Sequence, residues 1–335
     1  MGFRNKRILQ CLAASDSLLD TPTPHPYVYP DRRGILPPLG PSTLSFPPPT
    51  QPLPTLHHFD LNRREDSEDN LPVVVLHGLL GSSRNFRGWA SALHERLEKP
   101  RRILVPDLRN HGQSPHVGGM SYREMVHDVL RLLDAEGIGK CVVVGHSMGG
   151  KVAAAAGLSH PDRIAGLVVM DIAPVTYSVT DGTNWQDTHE VITLLSSLPL
   201  STLTDKGQVD VLLQEKGLTD AGMRAFAMTN LLQGDAGVQW QINLEGIKSA
   251  LPEIAAFDVG GVDSSSCSAA YPHKTLFLNG GKSKYLRTAH LSTIAQLFPT
   301  FSLATIRDAG HWVHAEKPEE TLNIIQRYLD EELEG

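Results

Sequence analysis

Six short apolar runs constrain the fold of this 335-residue chain more than any other feature of its sequence. Each run is continuous and lacks the apolar–polar alternation of a half-exposed strand. Continuous runs of this kind indicate strands that are buried on both faces, as in a parallel sheet. The six runs lie in the segments LPVVVLHG, RRILVPDL, KCVVVGHS, IAGLVVMDIAP, KTLFLNGG and SLATIRDAGH.

Segments with helical periodicity lie between these runs and after the last one. They are FRGWASALHERL, SYREMVHDVLRLLDAEG, GGKVAAAAGLSH, HLSTIAQLF and PEETLNIIQRYLDEEL. The last of them begins with a proline and two glutamates, which is typical of a helix start. Strands that alternate with helices predict a doubly wound α/β fold with a mostly parallel sheet.

One long interval interrupts this alternation. Residues from about 175 to 258 contain helical patches and no clear buried strand. The pattern predicts a helical insertion, or lid, that covers the carboxyl edge of the sheet. Open α/β sheets bind their ligands at this edge.

The first seventy residues have a different composition from the rest. Between Thr21 and Pro54 lie 12 of the chain's 23 prolines, which cannot build a helix or a sheet ladder. We therefore expect residues 1–70 to be an extended, largely disordered leader, and the folded domain to occupy 71–335.

The beginning of the leader is basic. It carries Arg4, Lys6 and Arg7 and has no acidic residue before Asp16. This composition is typical of an organelle transit peptide, so we expect a mitochondrial or other organellar location. An ordinary flexible N-terminus on a cytoplasmic protein is the alternative.

Composition excludes several classes of protein. A net charge of -7 argues against a nucleic-acid-binding surface, and no apolar run reaches the roughly 18–20 residues of a membrane span. The three cysteines, Cys11, Cys141 and Cys267, are far apart, which fits a reducing compartment without structural disulfides. Their spacing provides no metal site, and we expect neither a metal nor another cofactor.

A serine lies where the third apolar run meets a helix. The sequence Gly145-His146-Ser147-Met148-Gly149 has the G-x-S-x-G pattern in the strand–turn–helix context of a nucleophile elbow. Glycines on both sides remove Cβ atoms that would collide in so tight a turn, and the hydroxyl then projects above the sheet. We expect Ser147 to be a nucleophile.

A serine that attacks a carbonyl group needs donors for the resulting oxyanion. The backbone N–H of Met148, which follows the serine, is the first candidate. The second is an N–H of the loop after the first run, and Leu79 is the best-placed residue there. We expect the side chain of His77 to brace this loop rather than to react.

The general base should be a histidine late in the chain. Of the fifteen histidines, His311 fits best because it follows the last apolar run and precedes the final helix. His314 is the competitor. We expect His290 to lie within a helix and His146, which adjoins the serine, to be packed.

The acid of the triad is harder to place. The loop after the fifth run, where this acid commonly lies, contains no carboxylate. Asp258 and Asp263 precede that strand, and Asp308 is too close to His311 in sequence for a well-aligned hydrogen bond. Asp171 remains: it ends the run after the serine strand, and adjacent strands lie about 4.8 Å apart. A strand-end hydrogen bond is the alternative role for Asp171.

Several motifs carry a family resemblance. GHSMGGKVA, PDRI, VVMDIAPV and AGHWVHAEKP, with DLRNHGQSP upstream, resemble the esterase/thioesterase branch of the α/β-hydrolase superfamily over about residues 71–329. The resemblance implies the α/β-hydrolase fold and maps the nucleophile and base of the family onto Ser147 and His311. It also implies Asp171 as the acid, because this branch carries it in the DIAPV motif. The leader has no counterpart in bacterial members.

These residues together predict a serine hydrolase that cleaves carboxylic esters or acyl-CoA-like thioesters through an acyl-enzyme. A ligand receptor or partner regulator with weak hydrolysis is the alternative, and haloperoxidase-like or peptidase chemistry stays open. Serine at 147 excludes the mechanism of dehalogenases and epoxide hydrolases, which need aspartate there.

Two sets of side chains are candidates for substrate binding. Apolar residues of the insertion could line an acyl pocket, although packing inside the insertion accounts for most of them: Leu194, Leu195, Leu198, Phe226, Met228, Leu231 and Leu232. Basic residues after strands could attract an anionic leaving group, with exposed charge of no specific role as the alternative: Arg84, Arg87, Arg109, Lys282 and Lys284.

Overall fold

All six predicted runs are strands of one sheet in the computed structural model, which describes residues 54–62, 70–235, 237–258 and 270–333. Strands in these residues are β1 (His58–Leu61), β2 (Val73–Leu76), β3 (Ile103–Pro106), β4 (Cys141–His146), β5 (Ile164–Met170), β6 (Leu231–Gly234), β7 (Gly237–Trp240), β8 (Thr275–Gly280) and β9 (Phe301–Ile306). The main sheet has the order β1-β3-β2-β4-β5-β8-β9. Only the β1–β3 pair of this described sheet is antiparallel, so the predicted mostly parallel α/β fold is confirmed.

Helices connect the strands and cover both faces of the sheet. Within the described residues they are α1 (Ser83–Arg96), α2 (Tyr122–Ala135), α3 (Met148–Ser159), α4 (Trp185–Ser196), α5 (Lys206–Glu215), α6 (Ala221–Met228), α7 (Leu244–Ser249), α8 (Leu251–Ala255), α9 (Leu291–Leu297), α10 (Val313–Glu316) and α11 (Pro318–Arg327).

The start of α2 shows how local sequence sets these bounds. Ser121 accepts a hydrogen bond from the Glu124 N–H, and the Glu124 carboxylate accepts from the Ser121 N–H. This reciprocal pair satisfies backbone donors that the first helical turn leaves free.

The alternation of side chains along each strand divides the core into two layers. In β2, Val74 and Leu76 face one buried cluster, whereas Val73 and Val75 face the other. All four residues are fully buried, because helices cover both sides. This burial explains why the strand sequence is continuously apolar.

The folded part of the chain begins earlier than predicted. β1 lies inside residues 1–70, which the leader was expected to fill, and pairs antiparallel with β3. Asp60 of β1 makes an ion pair of 2.8 Å with Arg102. The boundary at residue 71 is therefore wrong, and the domain includes His58. Residues 1–53, with the proline-rich stretch and the basic N-terminus, lie outside the described residues.

The insertion contains the expected helices and also two strands that the sequence pattern did not predict. Helices α4 to α8 fall between residues 185 and 255, in agreement with the predicted lid. β6 and β7 form a separate antiparallel pair between α6 and α7. Three of the four β6 residues are exposed, so this hairpin lacks the apolar signal of a buried strand. No helix among the described residues is long and apolar enough to cross a membrane.

The strand register brings three chain segments together at the carboxyl edge of the sheet. His146 at the end of β4 pairs with Met170 at the end of β5, so the next residue of each strand emerges side by side. β5 pairs with β8 in the same direction, and β8 pairs with β9. The loops after β4, β5 and β9 therefore open at the same edge of the sheet, with β8 between β5 and β9.

Candidate active site

Ser147 forms the turn between β4 and α3. Its backbone has φ 53° and ψ -120°, a left-handed conformation that a residue with a side chain rarely adopts. Glycine is required on both sides. A Cβ on Gly145 would lie 2.2 Å from the carbonyl oxygen of Gly149, and a Cβ on Gly149 would lie 2.5 Å from the carbonyl oxygens of Leu76 and His77. The turn therefore holds the serine at the N-terminus of α3, where the helix dipole favours negative charge.

A continuous chain of hydrogen bonds links Ser147, His311 and Asp171. His311 Nε2 lies 3.0 Å from Ser147 Oγ, and His311 Nδ1 lies 2.7 Å from Asp171 Oδ2. A carboxylate can only accept a hydrogen bond, so Nδ1 carries the ring proton and Nε2 is free to accept from the hydroxyl. The geometry places an acceptor nitrogen at the serine.

Asp171 is held rigidly at the end of β5. It is fully buried, and its Oδ1 accepts a hydrogen bond of 2.8 Å from the Gly280 N–H. Its backbone also has a positive φ, 52°, which turns the side chain from the strand end toward His311. Both carboxylate oxygens therefore have partners in a site without contact to water.

The other acidic residues that were considered as partners of His311 do not contact its imidazole in the described structure. Asp308 lies 3.6 Å from the ammonium group of Lys282, and more than half of its side chain is exposed. Asp258 is exposed at the end of the insertion. Asp263 lies outside the described residues. Asp171 is thus the carboxylate that meets His311.

The loop after β2 lies directly against the serine. A Cβ on Gly78 would be 3.0 Å from His146 Nδ1 and 3.1 Å from the Cβ of Ser147, so the absence of a side chain lets the loop pack closely on the serine turn. The Leu80 N–H is bonded to His111 and the Gly81 N–H to the Gly78 carbonyl oxygen. Leu79 and Met148, whose N–H groups were the expected oxyanion donors, both line the cavity above Ser147.

Two buried histidines brace this loop. His77 Nδ1 donates to the Gly78 carbonyl oxygen (2.8 Å), and its Nε2 accepts from the Leu108 N–H (2.9 Å). His111 Nε2 accepts from the Leu80 N–H at 3.1 Å. Burial lowers the pKa of both rings, that of His111 to about 3, so both remain neutral and keep one acceptor nitrogen. The side chain of His77 thus contacts the loop that it was expected to brace.

The competing histidines do not contact the serine hydroxyl. His146 is buried, and its Nε2 donates to the backbone carbonyl oxygen of His311 at 2.8 Å. Burial lowers the pKa of His146 well below its usual range, with a further contribution from His311 and His314. His314 stacks on Phe86 with ring centroids 4.1 Å apart. His290 ends a short 3-10 turn before α9 rather than lying within a helix.

A cavity of about 460 Å³ opens above Ser147 between the sheet edge and the insertion. Of the apolar insertion residues expected to line it, Phe226 does so. Leu195, Leu198 and Leu231 are buried in the core, and Leu232 is 40% exposed. The remaining two pack against the core from its margin: Leu194 and Met228. Other apolar lining residues of the insertion are Val191, Leu218 and Met223.

The basic residues are not arranged as predicted. Arg109 is buried in an ion pair with Asp128 at 2.6 Å, and its charge is therefore compensated inside the protein. Arg84 and Arg87 lie in α1 instead of a loop. Of the five candidates, Lys282 lines the cavity, and Lys284 is exposed beside it. Of the five candidates for binding an anionic leaving group, therefore, Lys282 is the one that lines the cavity.

The sequence analysis did not identify Lys151 as a residue of the site. Lys151, one turn after Ser147, is 1% exposed and donates to the carbonyl oxygens of Ala255 (2.9 Å) and Ala256 (3.0 Å). Its ammonium group also lies 4.5 Å from the ring centroid of Tyr177, and burial lowers its pKa well below the usual range. A single lysine in a helix of small and apolar residues is the signal that could have identified it. Lys151 ties the end of the insertion to the serine helix.

The site offers oxygen and nitrogen groups that suit acyl chemistry. No group of three or more histidine, cysteine or acidic side chains in the described ranges could hold a metal ion. The imidazole of His311 faces a serine on one side and a carboxylate on the other. This arrangement suits proton transfer to and from the serine hydroxyl.

A mostly parallel sheet with a serine at a tight strand–helix turn and a histidine hydrogen-bonded to it at the sheet edge is typical of the α/β hydrolases. The chain belongs to the α/β-hydrolase fold family, whose model matches residues 72–318. Within this family it is similar to the mouse (Mus musculus) sn-1-specific diacylglycerol lipase ABHD11, with 37% identity over 79% of this chain and 83% of that protein. It is also similar to esterase YbfF of Escherichia coli (strain K12), with 32% identity over 80% of this chain and 96% of that protein.

A solved structure shows the same architecture. The structure of a marine microorganism esterase superimposes with a TM-score of 0.74 at 29% identity, covering 82% of this chain and 99% of that chain. The family and these relatives establish the reaction class: the chain is a hydrolase of ester bonds.

Proposed function

We propose that this chain is a serine hydrolase of carboxylic esters or thioesters, with Ser147 as nucleophile, His311 as general base and Asp171 as the acid that orients the base. The observation that carries the proposal is the hydrogen-bond chain from Asp171 through His311 to Ser147 Oγ. An alternative role for Asp171 as a strand-end hydrogen-bond acceptor accounts for its Oδ1 contact and leaves the contact with His311 unexplained.

The reaction proceeds in two steps through an acyl-enzyme. His311 Nε2 takes the hydroxyl proton as Ser147 Oγ attacks the acyl carbon, and the carbonyl electron pair moves onto its oxygen. Collapse of this intermediate breaks the bond to the leaving group, which takes the proton from the imidazolium. Water, deprotonated by the same nitrogen, then releases the acid and restores the serine.

The oxyanion lies, in this proposal, between the backbone N–H groups of Leu79 and Met148. The close packing of Gly78 on Ser147 supports this position, since it brings the loop after β2 to the serine. His77 and His111, which accept hydrogen bonds from the Leu108 and Leu80 N–H groups, keep the loop in place before substrate arrives. Preorganised donors of this kind stabilise the transition state without a reorganisation cost.

The charges around the cavity favour an uncharged leaving group. The exposed acidic residues Asp187, Asp220 and Glu316 line the cavity, and Lys282 is the exposed basic residue among the lining residues. No arginine is among its lining residues in the described part of the chain. An acyl-CoA thioester carries phosphates that these carboxylates repel, whereas a neutral ester is unaffected. The name of the mouse relative, a diacylglycerol lipase, supports a neutral ester as well.

The test of this function is turnover of p-nitrophenyl esters by the purified chain and by Ser147→Ala and His311→Ala. We expect turnover to fall by about 10⁴-fold or more in both variants, since a triad acts as a unit. Covalent labelling by a fluorophosphonate should occur in the wild type and be absent in Ser147→Ala. Equal turnover by the wild type and Ser147→Ala would favour a receptor with vestigial hydrolysis.

For location in the cell, we propose import into a mitochondrion or another organelle through the basic N-terminus. The three cations Arg4, Lys6 and Arg7 support it. A fluorescent protein fused after residue 57 should co-localise with an organelle marker, and replacing the three cations with glutamate should disperse it. Fluorescence of the unaltered fusion throughout the cytoplasm would contradict the proposal.

A further inference from the structure

Glu316 contacts the backbone on both sides of the catalytic histidine. It ends α10, five residues after His311, and its carboxylate accepts hydrogen bonds from the N–H of Gly310 (2.7 Å) and of Trp312 (3.2 Å). The Glu316 N–H donates in return to the Trp312 carbonyl oxygen at 2.8 Å. One side chain thus binds the N–H groups of the residues before and after His311.

Gly310 leaves the room that this carboxylate occupies. A Cβ on Gly310 would lie 2.9 Å from Glu316 Oε1 and 3.2 Å from Oε2. The three nearest atoms to such a Cβ all belong to the Glu316 carboxylate, and the backbone of Gly310 does not have a positive φ. An alanine at 310 would therefore displace the carboxylate without straining the fold.

The carbonyl of His311 is held from the opposite direction. It accepts the hydrogen bond from His146 Nε2 at 2.8 Å, and His146 is itself buried beneath the serine turn. The backbone of His311 is therefore fixed at its carbonyl by His146 and at both neighbouring N–H groups by Glu316. Its imidazole then spans from Asp171 to Ser147.

We propose that Glu316 is a positioning residue that sets the distance between the His311 imidazole and Ser147 Oγ. The inference rests on the proposed role of His311 as the base. Hydrogen bonds from neutral N–H groups to a carboxylate are stronger than those to a neutral acceptor, so this contact restrains the loop effectively. A displacement of about 1 Å at a reacting group costs on the order of 10²-fold in rate.

The experiment compares Glu316→Ala, Glu316→Gln and the control Glu320→Gln on one soluble p-nitrophenyl ester. Glu320 is an exposed glutamate of α11 that approaches Lys317 at 3.9 Å and is remote from the His311 backbone bonds. We expect kcat to fall by about 10- to 100-fold in Glu316→Ala with KM within about twofold, since only the reacting geometry changes. Glu316→Gln, which keeps one acceptor oxygen, should lie between the wild type and Glu316→Ala. Glu320→Gln should match the wild type.

The variant Gly310→Ala provides a second, independent test of the contact between Glu316 and the backbone. Alone it should reproduce the fall in kcat, because the new methyl group displaces the carboxylate. In the Glu316→Ala background it should cost nothing more, and such non-additivity identifies a shared contact. Additive losses from the two substitutions would overturn the proposal, as would a lower melting temperature of Glu316→Ala with unchanged kcat. These outcomes differ from failure of the proposed function, in which Ser147→Ala and His311→Ala retain activity.

Discussion

Asp171 and His311 are 140 residues apart in sequence, yet a carboxylate oxygen of the first lies 2.7 Å from Nδ1 of the second. The sheet brings the two residues together. Asp171 follows β5, and the loop that contains His311 follows β9 at the same edge of the sheet. The Asp171 carboxylate, the acid of the proposed triad, thus follows the strand next to the serine strand. Its position leaves the loop after β8 free for other roles, and Ser283 and Tyr285 of that loop line the cavity.

Replacing Asp171 with asparagine should lower kcat by about 10³–10⁴-fold and leave KM nearly unchanged. The amide can donate to Nδ1, which would move the ring proton to Nε2 and remove the acceptor that faces Ser147 Oγ. Steady-state kinetics on p-nitrophenyl esters measures the change. Asp308→Asn is the matched control, because it breaks only an exposed contact with Lys282, and it should leave kcat unaltered. Retention of a tenth of wild-type kcat by Asp171→Asn would end the assignment.

Gly149→Ala should impair both stability and turnover. The added Cβ would lie 2.5 Å from two carbonyl oxygens at the end of β2, so the loop that carries Leu79 must shift. We expect a loss of about 1–3 kcal/mol in the free energy of unfolding from overpacking. If Leu79 N–H is the oxyanion donor that we propose, its displacement should also lower kcat by about 10²–10³-fold. Urea unfolding and steady-state kinetics check the two effects.

The control for this variant is Gly88→Ala in α1, where an added Cβ meets no atom within 4 Å. It should raise stability slightly, by up to about 1 kcal/mol, since alanine is the better helix former. Its kcat should equal that of the wild type. A Gly149→Ala protein with normal stability and kcat would show that the loop does not need to be so close to the serine turn.

Much of this fold can be predicted from the sequence because strands buried on both faces must be apolar throughout. The strands that the sequence pattern did not predict are not buried on both faces, so they need not be apolar throughout. β1, with the sequence HFDL, is an edge strand whose four residues are all at least partly exposed. β6 belongs to a hairpin on the insertion, and its residues Leu232 to Gly234 are exposed. Short, partly exposed strands of this kind depend on tertiary pairing, which no local pattern reports.

Some residues of the candidate site could likewise be located from the sequence pattern, and others could not. Ser147 and Asp171 follow the ends of apolar strands, so the sequence pattern located the serine directly and the aspartate after the other acids were eliminated. Lys151 and Glu316 act on backbone carbonyl and N–H groups of distant or folded-back segments. Every residue has a backbone carbonyl group, and every residue except proline has an N–H group. A sequence pattern therefore does not indicate which backbone group a given side chain will contact. Arg109 was misplaced for a related reason, because its partner Asp128 lies in α2 on the other side of a loop.

The stability of the protein should fall as pH decreases below about 6.5, with His314 as one cause. Burial lowers the pKa of His314 to about 3 in the folded state, and its Nδ1 has no hydrogen-bond partner among the described residues. The unfolded chain therefore binds more protons than the folded chain between pH 6.5 and 3, and protonation favours unfolding there. Lowering the pH from 7 to 5 should cost about 2 kcal/mol through this residue.

The measurement is urea unfolding of the wild type and His314→Phe at pH 7 and pH 5. Phenylalanine keeps the stacking on Phe86 and cannot be protonated, so the variant should lose about 2 kcal/mol less than the wild type on acidification. His189→Gln in the exposed part of α4 is the control and should behave as the wild type does. An equal loss in His314→Phe and the wild type would exclude His314 as a cause.

Salt should affect thioester and ester substrates differently. The carboxylates of Asp187 and Asp220 repel the phosphates of butyryl-CoA at low ionic strength, and salt screens this repulsion over about 10 Å at 0.1 M. We expect kcat/KM for butyryl-CoA to rise with NaCl concentration, while that for p-nitrophenyl butyrate stays constant. Asp220→Asn keeps the helix cap of α6 and should raise the low-salt value for the thioester. A steep fall with salt for butyryl-CoA would instead indicate an anion-binding site.

Phe226 should limit the bulk of the acyl group. It lies on α6 of the insertion, its ring centroid is 5.8 Å from that of Trp312, and both side chains line the cavity beside His311. Phe226→Ala removes one side of this constriction. The ratio of kcat/KM for a branched acyl ester to that for p-nitrophenyl butyrate should therefore rise by about 10-fold, the range expected for a reshaped apolar pocket. Leu232→Ala, at an exposed insertion residue that does not line the cavity, should leave the ratio unaltered. An unaltered ratio in Phe226→Ala would show that the aromatic pair does not select the acyl group.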